Sequence, residues 1–352
     1  MSNIAIIGAG AWGTGLSIVL GRKGTHRVAL WAYEADVCRS INEKRVNEKF
    51  LSGCSIPESV TANNNLASVL SNAEIIVSVM PSQHCRALFE QMRPHIQPQA
   101  IIVSATKGIE EGSLLRMTEV IQQVLHDQKK ASPTLLAHSG PDRQGFPIGA
   151  LSGPSFAQEV ARGDPTAITI ASHHEVLLRT VQQTFSDSAF RVYTNNDVVG
   201  VELGGALKNI IAIAAGICDG LGLGHNSVAA LITRGLAEMT RLVVACGGRA
   251  DTMAGLAGLG DLVLTCTGGL SRNRSVGFEL GRGRRLSEII AGMHGMVAEG
   301  VFTTTAAVGL ARMRNVEMPI TEQMHAILHD GKSPKEAIQQ LMARTGKSES
   351  AT

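Results

Sequence analysis

The 352-residue chain is poor in aromatic residues, has almost no net charge and lacks a long uninterrupted apolar run. Aromatic side chains make up 3%, and 32 basic residues are balanced by 30 acidic ones, which leaves a formal net charge of +2. This balance gives no support to a nucleic-acid partner or an anionic membrane surface. The most apolar stretch, 210–218, ends at Asp219 and is shorter than the roughly 18 residues of a membrane span. We therefore expect no nucleic-acid partner and no membrane insertion.

Cysteine and histidine lack the spacing of a redox or metal site. The cysteines are far apart and form no C-x-x-C pair, so we predict free, buried thiols in a reducing compartment and no metal site. The N-terminus has no charged region ahead of its first apolar stretch, which argues against a signal peptide and favours a cytoplasmic location. The six cysteines are Cys38, Cys54, Cys85, Cys218, Cys246 and Cys266.

Glycine, in contrast, is abundant, with 38 of 352 residues, or about 11% against a usual share of about 7%. Six glycines fall in residues 1–24 and 21 fall in residues 200–300. The hydrophobic share of 44% excludes a disordered chain, and the length suits two domains rather than one core. We expect the surplus glycine at turns, at close packing and where the backbone approaches a ligand.

Short apolar runs, rich in β-branched residues, divide the first half of the chain. Helix-length segments lie between them, and 83–92 and 114–125 are the clearest. This alternation predicts an α/β domain with a parallel-sheet core. A polar stretch that contains Pro133, Pro141 and Gly145, 127–146, is expected to form a long surface loop. The apolar runs are 4–7, 28–31, 75–79, 101–103 and 167–170.

The strand pattern fades after about residue 195, and helical patterns replace it. A capping box with proline at the first helical position, from Ser333 to Glu336, opens the last predicted helix. We therefore predict an α/β domain over 1–195 and an all-α domain over 196–352. The other predicted helices are 198–218, 227–246, 275–280 and 304–314.

A glycine motif follows the first predicted strand directly and opens the first helix. Gly8 allows the tight turn, Gly10 lets the backbone approach a pyrophosphate, and Gly13 lets helix and strand pack closely. The helix N-terminus offers free N–H groups to the phosphates. The spacing predicts dinucleotide binding. At the end of the second strand, Glu34 or Asp36 can accept a hydrogen bond from a ribose 2′-hydroxyl, which favours NAD; alternatively, both simply begin the next helix.

Two lysines occupy positions where a solvated lysine is not expected. Lys107 follows the carboxyl end of a predicted parallel strand, the edge at which ligands bind in open α/β sheets. Lys208 lies in an otherwise apolar helix, where burial and a second cation would lower its pKa and make it usable as a general acid and base. The alternative is that the side chain of Lys208 extends from the helix edge to solvent.

A second cluster of candidates follows a glycine-rich stretch near residue 260. Ser271 is a predicted N-cap, and Arg272 and Asn273 would lie in the first turn, where an N-terminus and an arginine together can receive a phosphate. Asp261, among small and apolar neighbours, can bind a hydroxyl, hold Lys208 or cap a helix. These alternatives stay open on the sequence alone.

Five motifs in order along the chain, from the first strand to about residue 320, closely resemble those of bacterial-type NAD(P)-dependent glycerol-3-phosphate dehydrogenases. The first motif alone is common, whereas five in order are specific. They are the glycine motif at 8–14, A-T-K-G at 105–108, L-S-G-P-S-F-A at 151–157, G-V-E-L-G-G-A-L-K-N at 200–209 and the segment 258–273.

The resemblance implies reversible reduction of dihydroxyacetone phosphate, a small phosphorylated substrate, to sn-glycerol 3-phosphate for glycerophospholipid synthesis. It further implies a Rossmann-like dinucleotide-binding domain over 1–195, an all-α domain for substrate and catalysis over 196–352, and a homodimer. NAD or NADP would be the cofactor. Many relatives carry basic residues where this chain has Tyr33 and Glu34, so a preference for NADP is not implied.

The resemblance also assigns roles by motif position, with Lys208 matching the catalytic proton donor and acceptor of the family. The substrate-binding positions are matched by Lys107, Gly153, Ser155, Asp261, Ser271, Arg272 and Asn273. The cofactor-binding positions are matched by Gly8, Gly10, Ala11, Trp12, Gly13, Tyr33, Lys107, Ala157, Arg272, Val297 and Glu299.

Two other functions compete with this one. Another dehydrogenase of the same architecture would act on a 3-hydroxy acid or a ketopantoate-like substrate and would need a receptor for a carboxylate. A catalytically silent protein that senses the redox state of a dinucleotide would need neither lysine. The presence of Lys107, Lys208 and Asp261 together argues against the silent protein.

Overall fold

The computed structural model describes residues 1–126, 145–293, 298–346 and 348. The chain forms two compact units, the first of residues 1–106 and 117–198 and the second of residues 107–116 and 199–352. Except for its last two residues, the predicted surface loop 127–146 lies outside the described residues.

The first unit is built on a sheet of eight strands: β1 Asn3–Ile7, β2 Arg27–Trp31, β3 Val60–Asn63, β4 Ile75–Ser78, β5 Ile101–Ser104, β6 Ile148–Ser152, β7 Thr166–Ala171 and β8 Phe190–Asn195. Their order across the sheet is β3-β2-β1-β4-β5-β6-β7-β8. Strands β1 to β6 are parallel, which confirms the predicted parallel core. β7 is antiparallel to β6, and β8 is parallel to β7, so the last two strands depart from that prediction.

Three strands, β3, β6 and β8, escaped the sequence prediction for physical reasons. β3 and β8 are the two edges of the sheet, and their residues alternate between buried and exposed instead of forming a continuous apolar run. β6 has the sequence I-G-A-L-S, in which glycine and serine dilute the apolar signal. The pattern of buried apolar runs therefore finds five of the eight strands and misses the two edge strands and the glycine-containing β6.

Helices connect the strands of the first unit and cover the sheet with apolar side chains. The helix after β1 begins at Ala11, directly behind the glycine motif. The helix predicted over 83–92 is a 3-10 turn, Ser82–His84, followed by an α-helix from Cys85. The α-helices of this unit are Ala11–Arg22, Ala35–Lys44, Leu66–Leu70, Cys85–Met92, Met117–His126, Ala157–Arg162 and Glu175–Phe185, and a second 3-10 turn is Arg93–His95.

Outside the segment 107–116, the described residues of the second unit form helices and the turns between them, as the sequence predicts. Its core is packed around the helix Val198–Gly220, here called the central helix. The α-helices are Val198–Gly220, His225–Ala245, Ala250–Met253, Asp261–Thr267, Arg272–Gly281, Leu286–Ala291, Glu299–Arg314, Pro319–His329 and Pro334–Met342, and Leu256–Gly260 is a π-helical turn. Ser333 caps the last helix by accepting a hydrogen bond from the Glu336 amide, which confirms the predicted N-cap and start of this helix.

The central helix is long and apolar enough to cross a membrane by length and composition, although the sequence analysis finds no such run. Its most apolar 18-residue window is 94% buried inside the protein, as in the core helix of a soluble protein. The bent pair Ala250–Thr267 and Arg272–Gly281 passes the same test only when taken together. The six cysteines are free thiols, as predicted; four are buried and two, Cys38 and Cys246, are half-buried.

Residues 107–116, the hairpin segment, belong to the second unit although their sequence lies inside the first. The side chain of Ile109 is fully buried in the helical core, and Leu114 packs against that core. Arg116 forms an ion pair with Glu202 of the central helix. The predicted division at residue 195 therefore differs from the structure here, and the helix predicted over 114–125 begins only at Met117.

The central helix and the helix Arg272–Gly281, here called the Arg272 helix, cross with their backbones in contact. A Cβ atom placed on Gly277 would lie 1.9 Å from the carbonyl oxygen of Ile213, and one on Gly216 would lie 2.0 Å from that of Arg274. Only glycine permits so close a crossing. The crossing fixes the start of the Arg272 helix beside the middle of the central helix.

Candidate active site

Asp261 holds both candidate lysines in the helical unit. Its Oδ2 lies 2.6 Å from Nζ of Lys107, and its Oδ1 lies 2.8 Å from Nζ of Lys208. The carboxylate begins the helix Asp261–Thr267 and is 1% exposed. Asp261 therefore holds Lys208, which is one of the alternatives that the sequence left open. We call these three residues the lysine–aspartate cluster.

Burial sets the protonation behaviour of this cluster. It lowers the pKa of Lys208 to about 8; Lys107 acts in the same direction, whereas Asp261 opposes the change. Burial alone would raise the pKa of Asp261, but the two ammonium groups hold it below its usual value. Lys208 is thus a buried amine that can exchange a proton near neutral pH, which confirms the prediction that burial and a second cation lower its pKa. The alternative of a solvent-directed lysine is excluded, because the Lys208 side chain is 8% exposed.

Thr265 completes the surroundings of Lys208 and was missed by the sequence analysis. Lys208 Nζ donates a hydrogen bond to Thr265 Oγ1 at 2.6 Å, and Thr265 Oγ1 donates to the backbone carbonyl of Asp261, also at 2.6 Å. Asp261 and Thr265 are four residues apart on one helix, a spacing that puts both on the same face and could have identified Thr265. The helix follows the π-helical turn Leu256–Gly260, a type of turn that is frequent at functional sites.

The hairpin segment positions Lys107 within the second unit. Its two ends pair through an antiparallel bridge between Ile109 and Arg116. Nη1 of Arg116 lies 2.6 Å from Oε2 of Glu202, and the two side chains are 16% and 5% exposed. Because Glu202 and Lys208 share the central helix, this ion pair fixes the segment that carries Lys107 to the helix that carries Lys208.

The start of the Arg272 helix lies beside the central helix, as the glycine crossing requires. Ser271 is the N-cap, and its hydroxyl accepts a hydrogen bond from the Arg274 amide, as predicted. Nδ2 of Asn273 donates to Oδ1 of Asn209 at 2.9 Å, and its Oδ1 accepts from the amide of Gly300 at 3.0 Å. Asn209 was not identified from the sequence, although it directly follows Lys208. The side chain of Arg272 is exposed at this helix start.

The glycine motif of the first unit has the geometry of a dinucleotide-binding turn. Gly8 has φ +120°, and a Cβ atom on Gly13 would lie 1.9 Å from the Gly8 carbonyl oxygen, so neither position accepts a side chain. A Cβ atom on Gly10 would meet no atom of the described residues within 4 Å, which leaves open space beside the backbone. Gly10 is the N-cap residue of the helix that begins at Ala11, and no side chain caps this helix. The first N–H groups of the helix are therefore available to a ligand.

Trp12 supports the same fit to a dinucleotide. Its indole Nε1 is buried and has no hydrogen-bond partner among the residues that the structure describes. A buried donor in this position fits an acceptor oxygen of a bound ligand. The open side of Gly10, the uncapped helix from Ala11 and this donor together fit a dinucleotide.

At the end of β2, Tyr33 is 81% exposed. Glu34 is the N-cap residue of the helix Ala35–Lys44, and Asp36 lies in the first turn of that helix, as the alternative to a role in ribose binding predicts. The Glu34 carboxylate forms an ion pair of 3.0 Å with the Lys49 ammonium group, so a negative and a positive side chain lie together at the end of this strand.

The remaining predicted site residues lie in both units. Gly153 has φ +139°, and its carbonyl accepts a hydrogen bond of 2.9 Å from the Ser155 hydroxyl. Ala157 begins a helix that packs on Gly15 of the first helix. These three belong to the first unit, whereas Glu299 begins the helix Glu299–Arg314 in the second. Val297 lies outside the described residues.

Both units of the chain match known protein families. The family model for the N-terminus of NAD-dependent glycerol-3-phosphate dehydrogenase matches residues 3–177, and the model for its C-terminus matches residues 197–339. A protein from Koribacter versatilis named glycerol-3-phosphate dehydrogenase (NAD(P)+) is 65% identical over 99% of both chains. The chain belongs to this family.

Other members of the family agree over the full length. A protein of the same name from Acidobacterium capsulatum is 54% identical over 99% of this chain and 100% of its own. The crystal structure of glycerol-3-phosphate dehydrogenase from Coxiella burnetii has a TM-score of 0.89 and 41% identity, and covers 97% of this chain and 99% of its own. The family fold is therefore shared in both the Rossmann-like and the helical parts.

A more distant comparison bears on the competing dehydrogenase. A ketopantoate reductase from Ralstonia eutropha is 16% identical, with a TM-score of 0.56 over 95% of this chain and 99% of its own. At that identity the likeness shows the fold alone.

Proposed function

We propose that this chain is an NAD(P)-dependent glycerol-3-phosphate dehydrogenase that reversibly reduces dihydroxyacetone phosphate to sn-glycerol 3-phosphate. The observation that carries the proposal is the lysine–aspartate cluster, in which a buried lysine with a pKa of about 8 contacts a carboxylate and a hydroxyl. Family membership over the full chain supports the substrate. When bound, the reduced cofactor would supply a hydride to the ketone carbon.

Lys208 is the proton donor for the reduction. An ammonium group has three N–H groups that can donate hydrogen bonds. Two of those of Lys208 are used by Asp261 and Thr265. The third can donate to the substrate oxygen, which becomes more basic as the ketone turns into an alkoxide. Proton donation at this point stabilises the developing charge. In the reverse direction the neutral amine accepts the proton from the hydroxyl.

Asp261 and Lys107 prepare the cluster for this proton transfer. Asp261 aligns the Lys208 amine from one side, and Thr265 aligns it from the other. Lys107 adds a second positive charge, which favours the neutral form of Lys208 and attracts an anionic substrate. The cluster thus combines a lowered pKa with a fixed direction for the proton.

Arg272 is the residue that binds the phosphate of the substrate. Its guanidinium carries several donors at the N-terminus of a helix, where the amide groups favour an anion. Asn273 holds this helix start to Asn209, the neighbour of Lys208. A phosphate bound away from the reacting carbon orients that carbon for reaction. Ser271, Gly153 and Ser155 are proposed as further substrate contacts.

The cofactor is proposed to bind along the glycine motif, with the residues Gly8, Gly10, Ala11, Trp12, Gly13, Tyr33, Lys107, Ala157, Arg272, Val297 and Glu299. NAD and NADP both remain candidates, because Glu34 suits a ribose 2′-hydroxyl and Lys49 beside it suits a 2′-phosphate. The resemblance to the family further supports a cytoplasmic homodimer that supplies phospholipid synthesis.

The test is oxidation of NADH and of NADPH by the purified chain in the presence of dihydroxyacetone phosphate, ketopantoate or unphosphorylated dihydroxyacetone. We expect turnover with the phosphorylated ketone, little with dihydroxyacetone and none with ketopantoate. Dihydroxyacetone is the matched control, because it has the same reacting ketone and lacks only the phosphate. Turnover with ketopantoate instead would favour the competing dehydrogenase, and no turnover with any substrate would reject the proposal.

A further inference from the structure

Asn47 is a fully buried polar side chain to which neither the sequence nor the proposed reaction assigns a role. It has 0% exposure and lies shortly after the helix Ala35–Lys44. Its own position is fixed, because Oδ1 accepts a hydrogen bond from the Phe50 amide at 3.1 Å and its carbonyl accepts one from the Leu51 amide at 3.0 Å. Nδ2 is therefore held in a defined direction.

The Nδ2 group of Asn47 is directed at the glycine motif. It donates to the carbonyl oxygen of Ala9 and to Oγ1 of Thr14, both at 2.8 Å. The Thr14 hydroxyl lies 3.3 Å from the same carbonyl. The peptide between Ala9 and Gly10 is thus fixed on its carbonyl side by two side chains, of which Asn47 comes from a different part of the sequence.

The orientation of this peptide decides where its N–H points. In a planar trans peptide the carbonyl and the N–H point in opposite directions, so a carbonyl held towards Asn47 turns the Gly10 N–H away from it. Glycine on both sides of Ala9 makes rotation of the peptide easy when nothing holds it. A turn that samples several orientations binds its ligand more weakly, because only a fraction of the molecules is competent.

We propose that Asn47 is a positioning residue for the cofactor, which holds the Ala9–Gly10 peptide in the orientation that receives the pyrophosphate. This inference rests on the proposed dinucleotide site, and Asn47 acts there through the backbone without touching the ligand. Its removal is expected to affect cofactor affinity and to leave the chemistry of Lys208 unchanged.

The test is the dissociation constant of NADH and of NADPH for the full-length Asn47→Ala variant. We expect an increase of about tenfold, as when the competent orientation falls to about a tenth of the molecules. At saturating cofactor, kcat with dihydroxyacetone phosphate should stay within about twofold of the unaltered chain. Amide hydrogen exchange at Gly10–Gly13 should become faster without any cofactor, which reports on the turn itself.

Asn42→Ala is the matched control. Asn42 also makes two hydrogen bonds to backbone in the first unit, donating to the Ala62 carbonyl and accepting from the Ala62 amide, both at 2.8 Å, and neither reaches the glycine motif. It should lower the melting temperature and leave the cofactor dissociation constants within about twofold. An equal loss of affinity in both variants would overturn the proposal, because it would indicate general destabilisation.

Two further variants keep the test decisive if Asn47→Ala does not fold. Asn47→Asp keeps the acceptor for Phe50 and replaces the donor to Ala9 by a carboxylate oxygen, so it should weaken cofactor binding as well. Thr14→Val removes the second donor and should weaken binding less. Unchanged affinity in both would overturn the proposal. If the unaltered chain binds NADH but does not turn over dihydroxyacetone phosphate, the proposed reaction is rejected. The role of Asn47 in cofactor binding is not affected by that result.

Discussion

Glycine has different roles in the two units. In the glycine motif of the first unit, Gly8 adopts φ +120° and Gly10 leaves space beside the backbone, so glycine shapes the turn at which we propose that the cofactor binds. In the second unit, Gly216 and Gly277 lie inside helices and let two backbones touch. Each such glycine costs up to roughly 1 kcal/mol of helix stability, which the close helix crossing must offset.

This difference divides the glycine surplus between two of the roles that the sequence predicts, approach of the backbone to a ligand and close packing. The glycines at the crossing of the central helix and the Arg272 helix have the packing role. They contribute to the site indirectly, by fixing the Arg272 helix beside the helix that carries Lys208. The first unit thus uses glycine at the proposed cofactor-binding turn, and the second uses it where the central helix and the Arg272 helix pack.

The largest expected effect is the loss of kcat on substitution of Lys208, in the second unit. Lys208→Ala should reduce kcat by about 10²- to 10⁴-fold, because it removes the proton donor. The dissociation constant of NADH should stay nearly unchanged, since the glycine motif is untouched. Lys208→Met, which keeps most of the side-chain volume, separates the loss of the amine from a cavity. A variant with a near-normal kcat would remove Lys208 from the mechanism.

Breaking the helix crossing should destabilise the protein. In Gly277→Ala the new Cβ would lie 1.9 Å from the Ile213 carbonyl oxygen, so the helices must move apart. We expect a loss of about 1–3 kcal/mol in the free energy of unfolding, measured by urea denaturation. Gly269→Ala is the control, because a Cβ there meets no described atom within 4 Å. Equal stability of the two variants would contradict the proposed role of the crossing.

Substitution of Gly10 and of Gly13 in the first unit should distinguish an effect on cofactor binding from an effect on stability. Gly10→Ala adds a methyl group in open space at φ −65° and ψ 179°, so the melting temperature should hold, while the group would occupy the place of the pyrophosphate. We expect the NADH dissociation constant to rise at least about tenfold. Gly13→Ala should lose both stability and binding. Normal binding by Gly10→Ala would show that the cofactor does not approach this backbone.

The pH dependence of the reaction should follow the titration of Lys208 in the second unit. With a Lys208 pKa of about 8, ketone reduction needs the ammonium and should slow as pH rises through that value. Oxidation of glycerol 3-phosphate needs the neutral amine and should slow as pH falls through it. Profiles of kcat/KM in both directions, with cofactor affinity measured alongside, test this between about pH 7 and 9. Parallel profiles in the two directions would contradict it.

The sequence predicts the interior of the fold better than its margins. Central strands such as β4 are continuous apolar runs and were found, whereas the edge strands β3 and β8 alternate and were missed. The hairpin segment was assigned to the first domain, because nothing local indicates that Ile109 is buried among helices. Tertiary packing decides to which unit such a segment belongs, and the adjacent residues in the sequence do not indicate that packing.

The site could be predicted residue by residue but not as an assembly. Lys107 and Lys208 stood out because of their surroundings in the sequence, and Asp261 because of its small neighbours. Their meeting at one carboxylate joins residues 154 positions apart in the case of Lys107, a distance that no local pattern spans. Thr265 was recoverable from helix spacing, whereas Asn47 carried no signal before its hydrogen bonds were known.

The hairpin segment limits how this protein can be recombined with others. The chain passes from one unit to the other after Thr106, returns before Met117 and passes again after Val198, so the helical unit is not one contiguous piece of sequence. A fragment starting at Val199 would leave behind Lys107 and the Arg116 partner of Glu202. Exchange of nucleotide-binding domains by a single crossover would therefore transfer an incomplete active site, and a functional chimaera needs the ten hairpin residues 107–116 grafted behind its fifth strand.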